Sequence, residues 1–242
     1  MDGTASGKER PPVNVTGTAF LAAIVLLAAP VLEAQTAGTS SFRVLQRGRP
    51  VGAVEISLLR EADGWRIRST SQIDGTVNVA VKQFDARYDE AWRARFLTVE
   101  RVGTRSSTLV HVVVGPSTAH VDIVTAREAR WHSHSISPDT VFLPDYAYAA
   151  FAAVAARLQG AGQRAEIPLL FAPDSERRAI VDAWESLTVE TRAGPLRASR
   201  HTLSVIGAVP ALLHVWEARG ELLRVDIPQD DISVVRSDVL SR

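Results

Sequence analysis

The chain reads as mainly β, a long antiparallel meander with one docked helix, and three features of the sequence say so. Apolar and polar residues alternate with period two along most of the chain after residue 50, the spacing of half-buried strands. Turn residues fall between those runs, among them Asp63-Gly64, Asp74-Gly75, Gly115-Pro116, Gly194-Pro195 and Arg219-Gly220. A single alanine-rich segment, residues 145–159, departs from the alternation. The composition, 46% apolar and 22% charged in 242 residues, is that of a globular protein able to bury a core.

The first element is a leader. Lys8 and Arg10 precede the apolar run 19–32, which suits the central region of a secretory signal peptide and falls short of the about 20 apolar residues that a membrane span needs. Ala34 supplies a small residue before a cut at Gln35. Residues 1–34 are therefore expected to be removed, residues 35–41 to form a polar linker, and residues 42–238 to form one exported domain, periplasmic or secreted, without a membrane span. An uncleaved anchor is the alternative, and it too places the domain outside the cytoplasm. Removing residues 1–34 leaves 25 basic and 24 acidic residues, a balance that offers no electrostatic case for nucleic acid. The absence of cysteine excludes disulfides, thiolate metal sites and the lipid-acceptor cysteine of a bacterial lipoprotein.

Strands follow in order. Val54, Ile56 and Leu58 share one face of residues 51–59, opposite Glu55 and Ser57. Trp65, Ile67 and Ile73 alternate with Arg66, Arg68, Thr70 and Gln72, and Asp74-Gly75 predicts a two-residue hairpin into Val77, Val79 and Val81. Further strands are predicted at 86–92, 95–102, 107–114, 117–124 and 129–135. After the helix they resume at 164–171, 178–192, 196–206, 210–217, 221–227 and 231–236.

The helix over 145–159 has Asp145 as its candidate N-cap and Gly160 as its stop. Phe151, Val154, Ala155 and Leu158 make an apolar stripe, and alanines leave the other faces nearly apolar too, so the helix should be covered on most sides.

The familiar enzyme signatures are missing: there is no Gly-x-Ser-x-Gly elbow, His-Glu-x-x-His helix, phosphate loop or Gly-x-Gly-x-x-Gly fingerprint. Histidines form the one constellation of interest. His132 and His134 are two apart on one strand, as are His120 and Asp122 on the strand before. If Val121 and Ile123 face the core together with Trp131, the loop between these strands holds an odd number of residues centred on Arg127. His120 then opposes His134 and Asp122 opposes His132, a set that could hold zinc and support a metal-dependent hydrolase. The plainer alternative is a polar outer face with a cross-strand pair. His111 and His214 read as satisfied core histidines, His201 as exposed, and the five tryptophans as core or rim.

The stretches Leu222-Leu223-Arg224-Val225-Asp226-Ile227-Pro228 and Val234-Val235-Arg236-Ser237-Asp238 resemble the closing strands of uncharacterised secreted bacterial families that are reminiscent of the LolA and LolB lipoprotein carriers. The resemblance implies a large curved antiparallel sheet or half-barrel over residues 42–238, with the helix as a lid over an apolar ligand. The chain departs from LolB in lacking a lipid-acceptor cysteine. The expected function is non-enzymatic binding of a lipid-like or other apolar small molecule, with no required cofactor, in a pocket lined partly by Tyr148, Phe151 and Leu158. A structural module of the cell envelope that pairs through exposed strand edges is the rival.

Overall fold

The structure, a computed structural model, describes residues 36–74, 78–104, 106–172, 175–207 and 211–240. Residues 1–34, read as a signal peptide, and Gly75 and Val77 of the expected hairpin lie outside the described residues. The first eight strands are β1 (Gly38–Gln46), β2 (Arg49–Glu61), β3 (Gly64–Ile73), β4 (Val79–Asp89), β5 (Ala94–Gly103), β6 (Ser107–Val114), β7 (Thr118–Thr125) and β8 (Ala129–Ser135). The short strand β9 (Val141–Phe142), a 3-10 turn (Tyr148–Ala150) and helix α1 (Phe151–Leu158) follow. The chain then returns through β10 (Glu166–Leu170), β11 (Glu176–Thr191), β12 (Gly194–Ile206), β13 (Ala211–Ala218), β14 (Glu221–Ile227) and β15 (Ile232–Arg236).

All fifteen strands belong to one sheet, in the order β8-β7-β6-β5-β4-β3-β2-β1-β15-β14-β13-β12-β11-β10-β9. Two meanders thus meet in the middle through their terminal strands, with Val44 opposite Val234. Neighbours are antiparallel except β9 and β10, which run parallel. A parallel pair needs a crossover rather than a hairpin, and the segment carrying α1 supplies it.

The connectivity forces the sheet to curve. Fourteen strand spacings of about 4.8 Å would hold the edges of a flat sheet about 65 Å apart. Yet β8 and β9, at opposite edges, are joined only by residues 136–140, which reach about 20 Å at full extension. The sheet therefore curls into an unclosed barrel. The segment between the two edges is tied to the start of β5, where the Ala94 amide donates to the Thr140 carbonyl at 2.9 Å.

The inner face carries the core: Phe42, Val44, Ile56, Ile67, Phe84, Leu97, Val112, Leu203, Val215 and Val225 are all buried. Helix α1 fills the hollow. Seven of its eight residues are buried, all but Arg157, whose guanidinium donates to the Ala91 carbonyl at 2.9 Å. So short a helix would be marginal alone and is held by its packing, chiefly on β13 and β14. On the outer face, the chain end folds back so that Val239 closes a second, smaller core with Ala198, Leu223 and Val235.

Several boundaries differ from the sequence reading. Residues 38–41, read as linker, belong to β1, where Thr39, Ser40 and Ser41 pair with β2. The runs 77–81 and 86–92 are largely one strand, β4, because a bulge at Lys82 resets the alternation. Ile73 pairs with Val79, so five residues, not two, connect β3 to β4. The predicted helix shortens at its start: Asp145 makes no cap, and the turn Tyr148–Ala150 leads directly into Phe151. Gly160 does end the helix, at φ +73°.

Candidate functional site

A cavity of about 370 Å³ opens beside the start of α1, between residues 143–151 and the ends of β12 to β15. Its inner wall is apolar: Leu143, Phe151, Val205 and Leu213 are buried, and Phe171, Ile227 and Ile232 continue the surface outward. Its mouth is polar, with Asp145, Tyr146, Gln229 and Asp230 all exposed.

The wall segment is fixed from both sides. The Glu176 carboxylate accepts from the Ser137 amide and hydroxyl, each at 2.7 Å, and from the Thr140 hydroxyl. The Leu143 amide donates to the Leu170 carbonyl at 2.8 Å, which continues the parallel pairing of β9 with β10. Beneath this segment Tyr88, Trp92 and Trp65 stack on one another and on Phe142, with ring centroids 5.2 to 5.8 Å apart. Burial pushes the Tyr88 phenol well above its ordinary range; its oxygen approaches the Phe142 backbone without completing a well-formed hydrogen bond.

The mouth residue Tyr146 holds a left-handed backbone conformation at φ 59°, and so does Asp231, beside the mouth residue Asp230, at φ 53°. For a bulky residue such as Tyr146 that is an uncommon, strained conformation of the kind found at ligand sites. Tyr148, 5% exposed, has its phenol pushed up to about 12, first by burial and then by Tyr146 and Asp230. Its hydroxyl is therefore neutral at physiological pH.

Of the three residues expected to line a pocket, Tyr148 and Phe151 do so. Leu158 does not. It lies two turns further along the helix, about 10 Å from Phe151, and is fully buried. The alanines let the helix seat tightly: Ala153 and Ala155 are 0% exposed. The larger space lies where the chain enters the helix. The mouth residues Asp145, Tyr146, Gln229 and Asp230 were not among those expected to line a pocket.

The proposed zinc face is divided by register. Val121 pairs with His132 and Ala119 with His134, whereas His120 pairs with Ser133 and Asp122 with Trp131. The loop tip is the even pair Ala126-Arg127, closed by the Thr125 amide donating to the Glu128 carbonyl at 2.9 Å. His132 and His134 therefore share the inner side with Val121, and His120 and Asp122 lie on the outer side. The error was to point Trp131 inward. On this edge strand nothing covers it, and it is 77% exposed. Among the described residues, no group of three or more His, Asp and Glu side chains is placed to hold a metal ion.

The other histidines also separate by face. His111 and His214 are half-buried on the outer side, their Nδ1 atoms 3.1 Å from the hydroxyls of Thr98 and Thr202. His201, read as exposed, is 2% exposed on the inner side, with Nε2 3.5 Å from a Glu217 carboxylate oxygen. Trp65 and Trp92 are core, as expected, but Trp131 and Trp184 are not.

No known protein family matches the sequence, and no curated protein does. Among solved structures, the chain is similar to a DUF1089 family protein from Pseudomonas aeruginosa. The two share 13% identity and a TM-score of 0.39, over 73% of this chain and 90% of that one. Both are mainly β.

Proposed function

We propose that this protein is exported and binds an apolar or amphipathic, lipid-like ligand without catalysing a reaction. The observation that carries the reading is the cavity beside Tyr148 and Phe151, apolar within and polar at its mouth. Its volume, about 370 Å³, falls in the range of about 300–1,000 Å³ common for small-ligand sites. Burying about ten methylenes would contribute on the order of 8 kcal/mol before ordering costs, enough for useful affinity. The curled sheet around a buried helix also supports the resemblance to the LolA and LolB carriers. Export rests on the leader in residues 1–34, and the described residues contain no helix long and apolar enough to cross a membrane.

Native mass spectrometry of protein purified from its own host tests the binding directly. A lipid-sized adduct, together with uptake of a neutral fluorescent naphthylamine dye, is the expected result. Protein that carries no adduct and takes up no dye refutes the reading.

Assembly through a sheet edge is a second reading, favoured by β8. This seven-residue strand ends the sheet, and all of its residues but His134 are exposed. Such an edge accepts another strand readily. Subunit count in the same mass spectrum, compared between wild type and an edge-blocking Ser133→Pro variant, separates this reading from ligand binding.

A further inference from the structure

We propose that the cavity selects its ligand by head group, taking a single-chain amphiphile whose head donates hydrogen bonds and carries no negative charge, a protonated amine best of all. The inference rests on the ligand-binding reading above and adds what the mouth recognises.

The lining residues carry two carboxylates, Asp145 and Asp230, and no Lys, Arg or His. Both carboxylates sit on exposed residues at the mouth, while the buried end of the cavity is made of Leu143, Phe151, Val205 and Leu213. An alkyl chain inserted into the apolar end thus leaves its head group between the carboxylates. Tyr148 supplies an independent observation. It is 5% exposed and lines the cavity, and its hydroxyl has no hydrogen-bond partner among the described residues. Tyr146 and Asp230, which act electrostatically on its phenol, line the same cavity. A neutral hydroxyl there can accept from an ammonium or hydroxyl head. A carboxylate head would meet two negative charges at the mouth.

Three cations near these residues have partners of their own. Arg101 donates to the Asp145 backbone carbonyl at 3.3 Å, the Arg177 guanidinium lies 4.5 Å from the Phe171 ring centroid, and Arg47 pairs with Asp231 at 3.4 Å. None of the three lines the cavity.

The test uses purified protein at pH 7 and low salt, loaded with the neutral naphthylamine dye and titrated with dodecylamine, dodecanol or dodecanoate below their micelle concentrations. Dodecylamine should displace the dye at about one-tenth the concentration of dodecanoate, as expected for two modest charge interactions at a solvent-exposed mouth. Dodecanol should fall between. The combined Asp145→Asn and Asp230→Asn variant should bring amine and carboxylate within about twofold, and 0.5 M salt should narrow the gap in the wild type. Both substitutions are on exposed residues, and circular dichroism confirms that the variant folds. Equal or better displacement by dodecanoate overturns the head-group inference and leaves the cavity reading standing. Failure of the dye and of every C12 ligand to bind overturns both.

Discussion

Truncating the two largest apolar side chains of α1 distinguishes a cavity wall from a closed core. Leu158 is fully buried, so Leu158→Ala should cost about 3–4 kcal/mol, inside the usual large-to-small range. Phe151 is larger, and a packed Phe→Ala commonly costs about 3–5 kcal/mol. But part of the Phe151 ring borders a cavity of about 370 Å³, and atoms facing a void have already lost their partners on that side. Phe151→Ala is therefore expected to cost about 2–3 kcal/mol, less than Leu158→Ala although it deletes more. Urea denaturation measures the difference, and thermal melts should show it at about 2–4 °C per kcal/mol for a domain of this size. A saturating neutral alkyl ligand should recover more of the loss in Phe151→Ala, because it binds the native state and fills the enlarged space. If Phe151→Ala proves clearly the more costly variant, its ring sits in closed packing and the cavity reading fails.

Export predicts that the secreted protein begins within a few residues of Gln35; Met1 retained on a soluble cytoplasmic protein would contradict it. Burial raises the phenols of Tyr148, to about 12, and Tyr88. Unfolded tyrosine ionises near pH 10, at about 1.4 kcal/mol per pH unit, so their contribution is complete below pH 10 and declines as pH rises toward 12. Urea midpoints from pH 9 to 11.5 should fall accordingly, and less steeply in Tyr88→Phe; a flat profile would show that neither phenol is buried. At Asp85, burial favours the neutral acid, but hydrogen bonds from Arg66, at 2.7 Å from Nε and 2.5 Å from Nη2, outweigh it and hold the carboxyl below its ordinary range. Arg66→Ala should cost about 3 kcal/mol at pH 7, with only Arg68 left at 3.7 Å, and less near pH 4, where the orphaned carboxyl can take up a proton. A penalty that does not change with pH would mean that Asp85 is solvated.

Most strands were legible because a curved sheet with one buried face writes its period into the sequence. Residues 107–114, 129–135 and 221–227 coincide with β6, β8 and β14. What local alternation could not report was closure. The pairing of β1 with β15 joins residues about 190 apart, and nothing in the Thr-Ser-Ser stretch of β1 announces a partner so distant. β9 escaped for a related reason. It is two residues long, too short for a period, and it exists because the crossover through α1 delivers β10 parallel to it.

The site was less legible than the fold, and the cause is parity. In a hairpin, one residue more or less in the loop moves every side chain of the second strand to the other face. The zinc set needed an odd loop after Thr125, the chain has an even one, and four residues that looked convergent divide two and two. The same parity decides which histidine lies in the core. His201 shares the inner face with Leu203 and Val205 because β12 alternates unbroken through them. The cavity depends on no such parity. It follows from where a short helix of small residues ceases to fill the hollow, and Tyr148 and Phe151 could be named in advance because they are the bulky residues at that end. The carboxylates at its mouth come from distant parts of the chain, before α1 and after β14, and only the curl of the sheet brings Asp145 and Asp230 to one opening.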